Sequence, residues 1–285
     1  MKLVCGHAPL QITFCINMKS IIADEITTIG GDKLLKFLDK IPKELKEGPW
    51  SIVAHLVVFT YIGFVAITAQ SAFASLDYTA PSEISDHLQM YRLFFALYGL
   101  GFSFVTLWMV GLWPFLSYTV ISWNLMAFRL FFAYLTDAGL IWFRPVAIFL
   151  KFPALVGCSI TVLVWWLILV PLLAFLLRKN EKDFKGFLHF NLSPGLINLH
   201  LLNLPISAVE FIWTATSLTF FDLWCGYLVA LFYCLFYLNF LDPLGLHFYI
   251  IFSPRTYLCA FSFGLIIFTY YFLYNFWNDS LAGSG

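Results

Sequence analysis

Charge is what this sequence has least of: Lys, Arg, Asp and Glu make up 11% of its 285 residues, against about 25% in a soluble domain. Hydrophobic residues account for 61% and the mean hydropathy is +0.85. A water-soluble fold of this length has too little polar surface to cover so many apolar side chains. The 16 basic and 16 acidic residues cancel, so no basic excess points to nucleic acid and no acidic tail to a basic partner. Paired cysteines are missing too. Cys5, Cys15, Cys158, Cys225, Cys234 and Cys259 stand singly, with no C-x-x-C and no histidine at ligand spacing, which argues against a disulfide framework, a metal site or any other cofactor. No period of 20–50 residues recurs, which excludes a solenoid or an evident inverted-repeat transporter. The partner class left by these absences is membrane lipid.

What is present is long apolar runs. About 20 helical residues cross the hydrocarbon of a bilayer, and runs of that order fall near 51–72, 91–113, 127–149, 154–177, 194–218, 223–241 and 256–276. The expected fold is an all-α polytopic transmembrane bundle of about seven helices. The third boundary is the weakest, since apolar residues continue from Leu93 to Leu150 with only Pro114 and the polar cluster Ser117 to Asn124 as interruptions, and a count of six is the alternative.

Residues 1–50 form a separate N-terminal segment ahead of the bundle at 51–280. An apolar stretch near Leu10 to Ile16 is short and has at most the outline of a signal peptide. In Gly31 to Glu47, Leu34, Leu38, Ile41 and Leu45 recur at helical spacing opposite Lys33, Lys36, Lys40, Lys43 and Lys46. That pattern predicts an amphipathic helix in the membrane interface, interrupted at Pro42, with a solvated linker as the alternative. Lysine and arginine also collect at Arg178 to Lys185 and at Arg255. With seven spans these clusters share a side with the N-terminus, which the positive-inside rule makes cytoplasmic.

Polar groups inside apolar runs carry the functional argument, because they are costly in lipid unless they face the bundle interior. Tyr134-Leu135-Thr136-Asp137 is one cluster. His200, Asn203, Ser207, Glu210 and Thr214 form another, all within about 80° of one another on a helical projection. Such side chains often do no more than hydrogen-bond helices together. A hydroxyl beside a neutral imidazole would instead make a nucleophile and its base, and the expected spans put Thr136 and His200 at depths about 5 Å apart. Asn203 is a candidate oxyanion donor.

The same clusters resemble a family. His200-Leu-Leu-Asn-Leu-Pro205-Ile-Ser-Ala-Val-Glu210 is similar to the H-x4-P-x4-E helix of the androgen-induced and androgen-dependent membrane hydrolases, and His200-x-x-Asn203 resembles the H-x-x-N of the related Rolling stone proteins. Tyr91-Arg92, Tyr134-Leu135-Thr136, Phe152-Pro153 and Trp165-Trp166 follow in the same order, so the likeness covers about 90–250. It implies hydrolysis of lipid esters, notably fatty acid esters of hydroxy fatty acids, with Thr136 as nucleophile and His200 as general base. Asn203, Ser207 and Glu210, on the stripe that carries His200, are the candidate substrate-binding residues. Ala138 and Ile197 stand where those proteins commonly have Trp and a second His. A shifted register would use Thr119, followed by Trp123-Asn124. The rival expectations are a non-enzymatic membrane protein or structural subunit, and a transporter or channel.

Overall fold

The computed structural model describes residues 42–77, 85–247 and 249–282. Among these there are only helices and turns, and seven of the helices are long and apolar enough to cross a membrane. The protein is therefore an all-α, multi-pass membrane bundle. Of the expected N-terminal amphipathic helix, residues 31–41 lie outside the described residues, and what is described is one short turn, Lys43–Lys46.

Helix α1 is Ile52–Ala74, α2 is Asp86–Val110 and α3 is Tyr118–Asp137. Each begins with a serine, Ser51, Ser85 or Ser117, whose hydroxyl accepts a backbone N–H of the first turn. The fourth span runs as α-helix over Arg144–Val162, widens to a π-helix over Leu163–Leu169 and returns to α over Val170–Leu177; together these are α4. A surface helix, α5, follows at Glu181–Asn191. The fifth span, α6, joins Pro194–Ile197, a π-helical Asn198–Leu202 and Asn203–Thr214. Then come α7, Phe220–Phe236 with a π-helical end at Tyr237–Leu241, and α8, Leu258–Ala282.

The third span is thus a correction to the expected 127–149. The polar cluster around Ser117 to Asn124 opens a helix instead of breaking one. Ser117 caps α3, Ser122 donates to the Tyr118 carbonyl, and Asn124 donates to the Val120 carbonyl while accepting from Ser103 of α2, so no polar group faces lipid unpaired. The chain turns at Gly139, whose φ of 92° suits glycine, and Pro145 sits in the first turn of α4.

Residues 42–51, the α2–α3 turn, α5 and the α7–α8 connection share one end of the bundle, here called proximal. The Tyr118 N–H donates to the Tyr249 hydroxyl, and the Ser51 N–H to the Pro254 carbonyl. At the distal end the Phe221 N–H donates to Ser75 and Lys151 to the Ser217 carbonyl. Helix α7 is the central post, packed on α1, α4 and α8. Small residues bring other helices close: a Cβ on Gly99 would lie 2.8 Å from that of Ala127, and one on Gly157 2.8 Å from the Ser122 hydroxyl. Outward-facing Ile67, Trp108 and Trp142 are more than four-fifths exposed, as a lipid-facing surface requires.

Candidate functional site

Two polar regions lie inside the bundle, one toward each end. The distal one is a charge network. Arg92 of α2 bonds Asp137 of α3 at 2.6 Å, and Glu210 and Thr214 of α6 at 2.7 and 2.8 Å. Arg129 of α3 reaches the same Glu210 oxygen at 2.8 Å and the Ala147 carbonyl at 2.7 Å. Close by, Lys151 of α4 lies 3.7 Å from Asp222 of α7. Three cations meet three carboxylates, so the network is neutral. Uncompensated, any one of these charges would be very costly at this depth.

The proximal region is built where two helices widen together. Pro205 has no N–H to give, which loosens the preceding turn of α6 into its π segment, and the Leu204 N–H, the helical donor to the His200 carbonyl, goes to Asn203 Oδ1 instead. The Trp166 indole fills that gap, donating to the His200 carbonyl at 2.6 Å. The Trp165 ring stacks on the His200 imidazole with centroids 4.0 Å apart, and its indole N–H donates to Asn191 at the end of α5. Both tryptophans belong to the π segment of α4.

One antiparallel register runs along this α4–α6 contact. Cys158 meets Ser207 at one rung and Trp165 meets His200 at another; the two pairs of residue numbers have the same sum. Between them, the same register puts Thr161 opposite Leu204, next in sequence to Asn203. All three polar side chains here are buried, His200 at 6%, Asn203 at 0% and Thr161 at 5% exposure. The Thr161 hydroxyl and Asn203 Nδ2 have no hydrogen-bond partner, and His200 Nδ1 has none of good geometry, although the ring interacts with the Leu196 carbonyl one turn earlier. Thr161 is unusual in this, for the hydroxyls of Thr68, Thr106, Ser122, Thr136 and Ser159 all donate to the carbonyl four residues earlier. Asn203 Oδ1 accepts from the Leu204 N–H, which leaves its amide donors free.

No protein-family model, curated protein or solved structure matches this chain.

The residues singled out from sequence separate into the two regions. Thr136 is not brought to His200. Arg92 ties Asp137 to Glu210 and Thr214, so the end of α3 is level with the end of α6. That is ten to fourteen residues past His200, or about 15–20 Å at 1.5 Å per residue. The expected match in depth came from starting the third span nine residues late. The Thr136 hydroxyl donates to the Phe132 carbonyl at 2.8 Å. Glu210 belongs to the charge network, Ser207 to the Cys158 rung, and Asn203 stays beside His200. Thr119, in the first turn of α3, is at the proximal end with His200, where its hydroxyl bonds the Tyr249 phenol. Sequence reasoning passed over Arg129, Lys151, Thr161 and Asp222 as site residues. Arg129, a lone charge within an apolar run, was open to notice; Thr161 was not, because only the register opposite His200 distinguishes it.

Proposed function

We propose that this protein is a membrane-embedded hydrolase of lipid esters, with His200 as its base and Thr161, in place of Thr136, as its nucleophile. The observation that carries the reading is a set of three buried polar groups along one helix contact: a hydroxyl and an amide donor that have no partner, and an imidazole beside them. Those are the nucleophile, base and oxyanion donor of acyl transfer. The family resemblance, which runs through His200 and Pro205, supports the ester class. In the reaction the Thr161 oxygen bonds to the ester carbonyl carbon as His200 takes its proton, and the carbonyl oxygen becomes an oxyanion facing the Asn203 amide. The intermediate collapses with loss of the alcohol, which leaves with the proton from His200. Water, deprotonated by His200, then attacks the acyl-threonine, and the acid is released as His200 returns that proton to the Thr161 oxygen. The N-terminus is cytoplasmic in this reading, with the lysine-rich proximal end on the same side.

A fluorophosphonate ester probe on the purified protein tests the assignment. Labelling is expected on Thr161, lost in Thr161→Val, strongly slowed in His200→Gln and retained in Thr136→Val and Thr119→Val. Labelling on Thr119 or Thr136, or unchanged labelling in Thr161→Val, overturns it.

The distal network favours a second reading, a non-enzymatic helix bundle or subunit. Tyr91 and Arg92, which help carry the family likeness, bond the Ile206 carbonyl and Glu210, and so fasten α2 to α6. Absence of labelling at any threonine selects this reading. The pairing of all six charges speaks against a permeation path, since an ion or proton route needs groups that exchange partners.

A further inference from the structure

We infer that α5 binds the anionic surface of the membrane and couples it to the Trp165–His200 stack. This rests on α5 itself, and it extends the proposed site by giving it a lipid partner. The helix hangs between two spans, joined to α4 by Arg178–Asn180 and to α6 by Leu192–Ser193, so it is held at the membrane boundary at the proximal end. On a helical projection Phe184, Phe187, Leu188 and Asn191 occupy an arc of about 100°, while Lys182, Lys185 and His189 cluster on the opposite side. Phe184 and Phe187 are half-buried, Lys182 and His189 are exposed, and Leu192 just beyond is 67% exposed. Lys185 is exposed as well, and it pairs with Glu181 of the same helix. From Arg178 to Lys185 four cations stand against two acids. This is the charge complement of an anionic leaflet, laid over an apolar underside.

The coupling is through Asn191. It is 3% exposed, its amide donates to the Phe187 carbonyl at 2.8 Å, and its oxygen accepts the Trp165 indole at 2.9 Å. Trp165 in turn covers the face of His200. Lifting α5 from the surface therefore pulls on the residue that holds Trp165 over the imidazole.

The test uses the full chain in nanodiscs of phosphatidylcholine, alone or mixed with phosphatidylserine, at low salt. Two readouts are followed: amide hydrogen exchange over 181–191, and modification of His200 by diethyl pyrocarbonate, read by mass spectrometry. Phosphatidylserine is expected to slow both. Each lysine near an anionic surface contributes about five-fold in binding, so Lys182→Gln with Lys185→Gln weakens the exchange response by up to about thirty-fold. Asn191→Leu is expected to keep the exchange response but lose the protection of His200. Equal exchange in both lipids overturns the lipid partner. Protection of His200 that survives Asn191→Leu overturns the coupling. Neither readout depends on ester turnover, so failure here is distinct from failure of the hydrolase assignment.

Discussion

At the scale of single residues, the helical hydroxyls satisfied by a carbonyl of their own helix contrast with that of Thr161, buried within α4 without a partner. A buried hydroxyl without a partner costs about 1–3 kcal/mol, so Thr161→Val, which keeps the shape and removes the polar atom, is expected to leave thermal stability unchanged or to raise it while abolishing ester turnover. A fall in melting temperature with full activity retained would make Thr161 a structural residue. Thr136→Val removes only a bond to the Phe132 carbonyl, and turnover is expected to stay at the wild-type level. Some of this was legible in the sequence. His200 and Asn203 were visible as polar residues in an apolar run beside Pro205, and they do share a buried region. Thr136 was misplaced because a Y-L-T motif carries no information on depth once the start of its helix is misjudged by nine residues.

Among the helices, apolar length alone located seven spans, because a bilayer imposes the same requirement on each. The π segments were not legible. They depend on where a missing proline N–H lets a turn slip and on which indole from the facing helix takes the freed carbonyl. Pro205→Ala restores that N–H. It is expected to tighten α6 toward regular α-helix and turn His200 away from Trp165, so that turnover falls by at least about ten-fold while the protein stays folded. Equal turnover would show that the π geometry is incidental. The connection from α7 to α8 carries a second testable feature. Arg255 holds Asp242 with two bonds of 2.7 and 2.9 Å and also donates to the Gly48 carbonyl, which latches the chain before α1 to this loop. Burial pushes the Asp242 carboxyl up, but hydrogen bonds from His247 and Arg255 and the Arg255 charge outweigh it, and the group titrates below its ordinary value. The sign follows: the latch is at full strength above about pH 4, the ordinary carboxylate value, and is lost as pH falls through the depressed one. Amide exchange over 42–51 is expected to stay slow at mildly acidic pH and to rise only below that range, whereas Arg255→Ala raises it at neutral pH.

Across the whole molecule, the distal network joins five of the seven spans, through Arg92, Arg129 and Asp137, Lys151, Glu210, and Asp222. Removing one partner leaves a buried charge uncompensated, at about 3–5 kcal/mol, so Glu210→Ala is expected to lower the detergent melting temperature far more than Thr136→Val. Pairing Glu210→Gln with Arg129→Met, which removes opposite charges together, should recover part of the loss. If Glu210→Ala melts with the wild type, the network is not what holds these helices. The pairings also set an order on how the chain can be made. Arg92 emerges from the ribosome more than a hundred residues before Glu210, and Lys151 about seventy before Asp222. During synthesis, then, the second, third and fourth helices carry charges whose partners do not yet exist. They have reason to linger beside the insertion machinery until the sixth span arrives, and a chain truncated after α4 is expected to be held there or degraded.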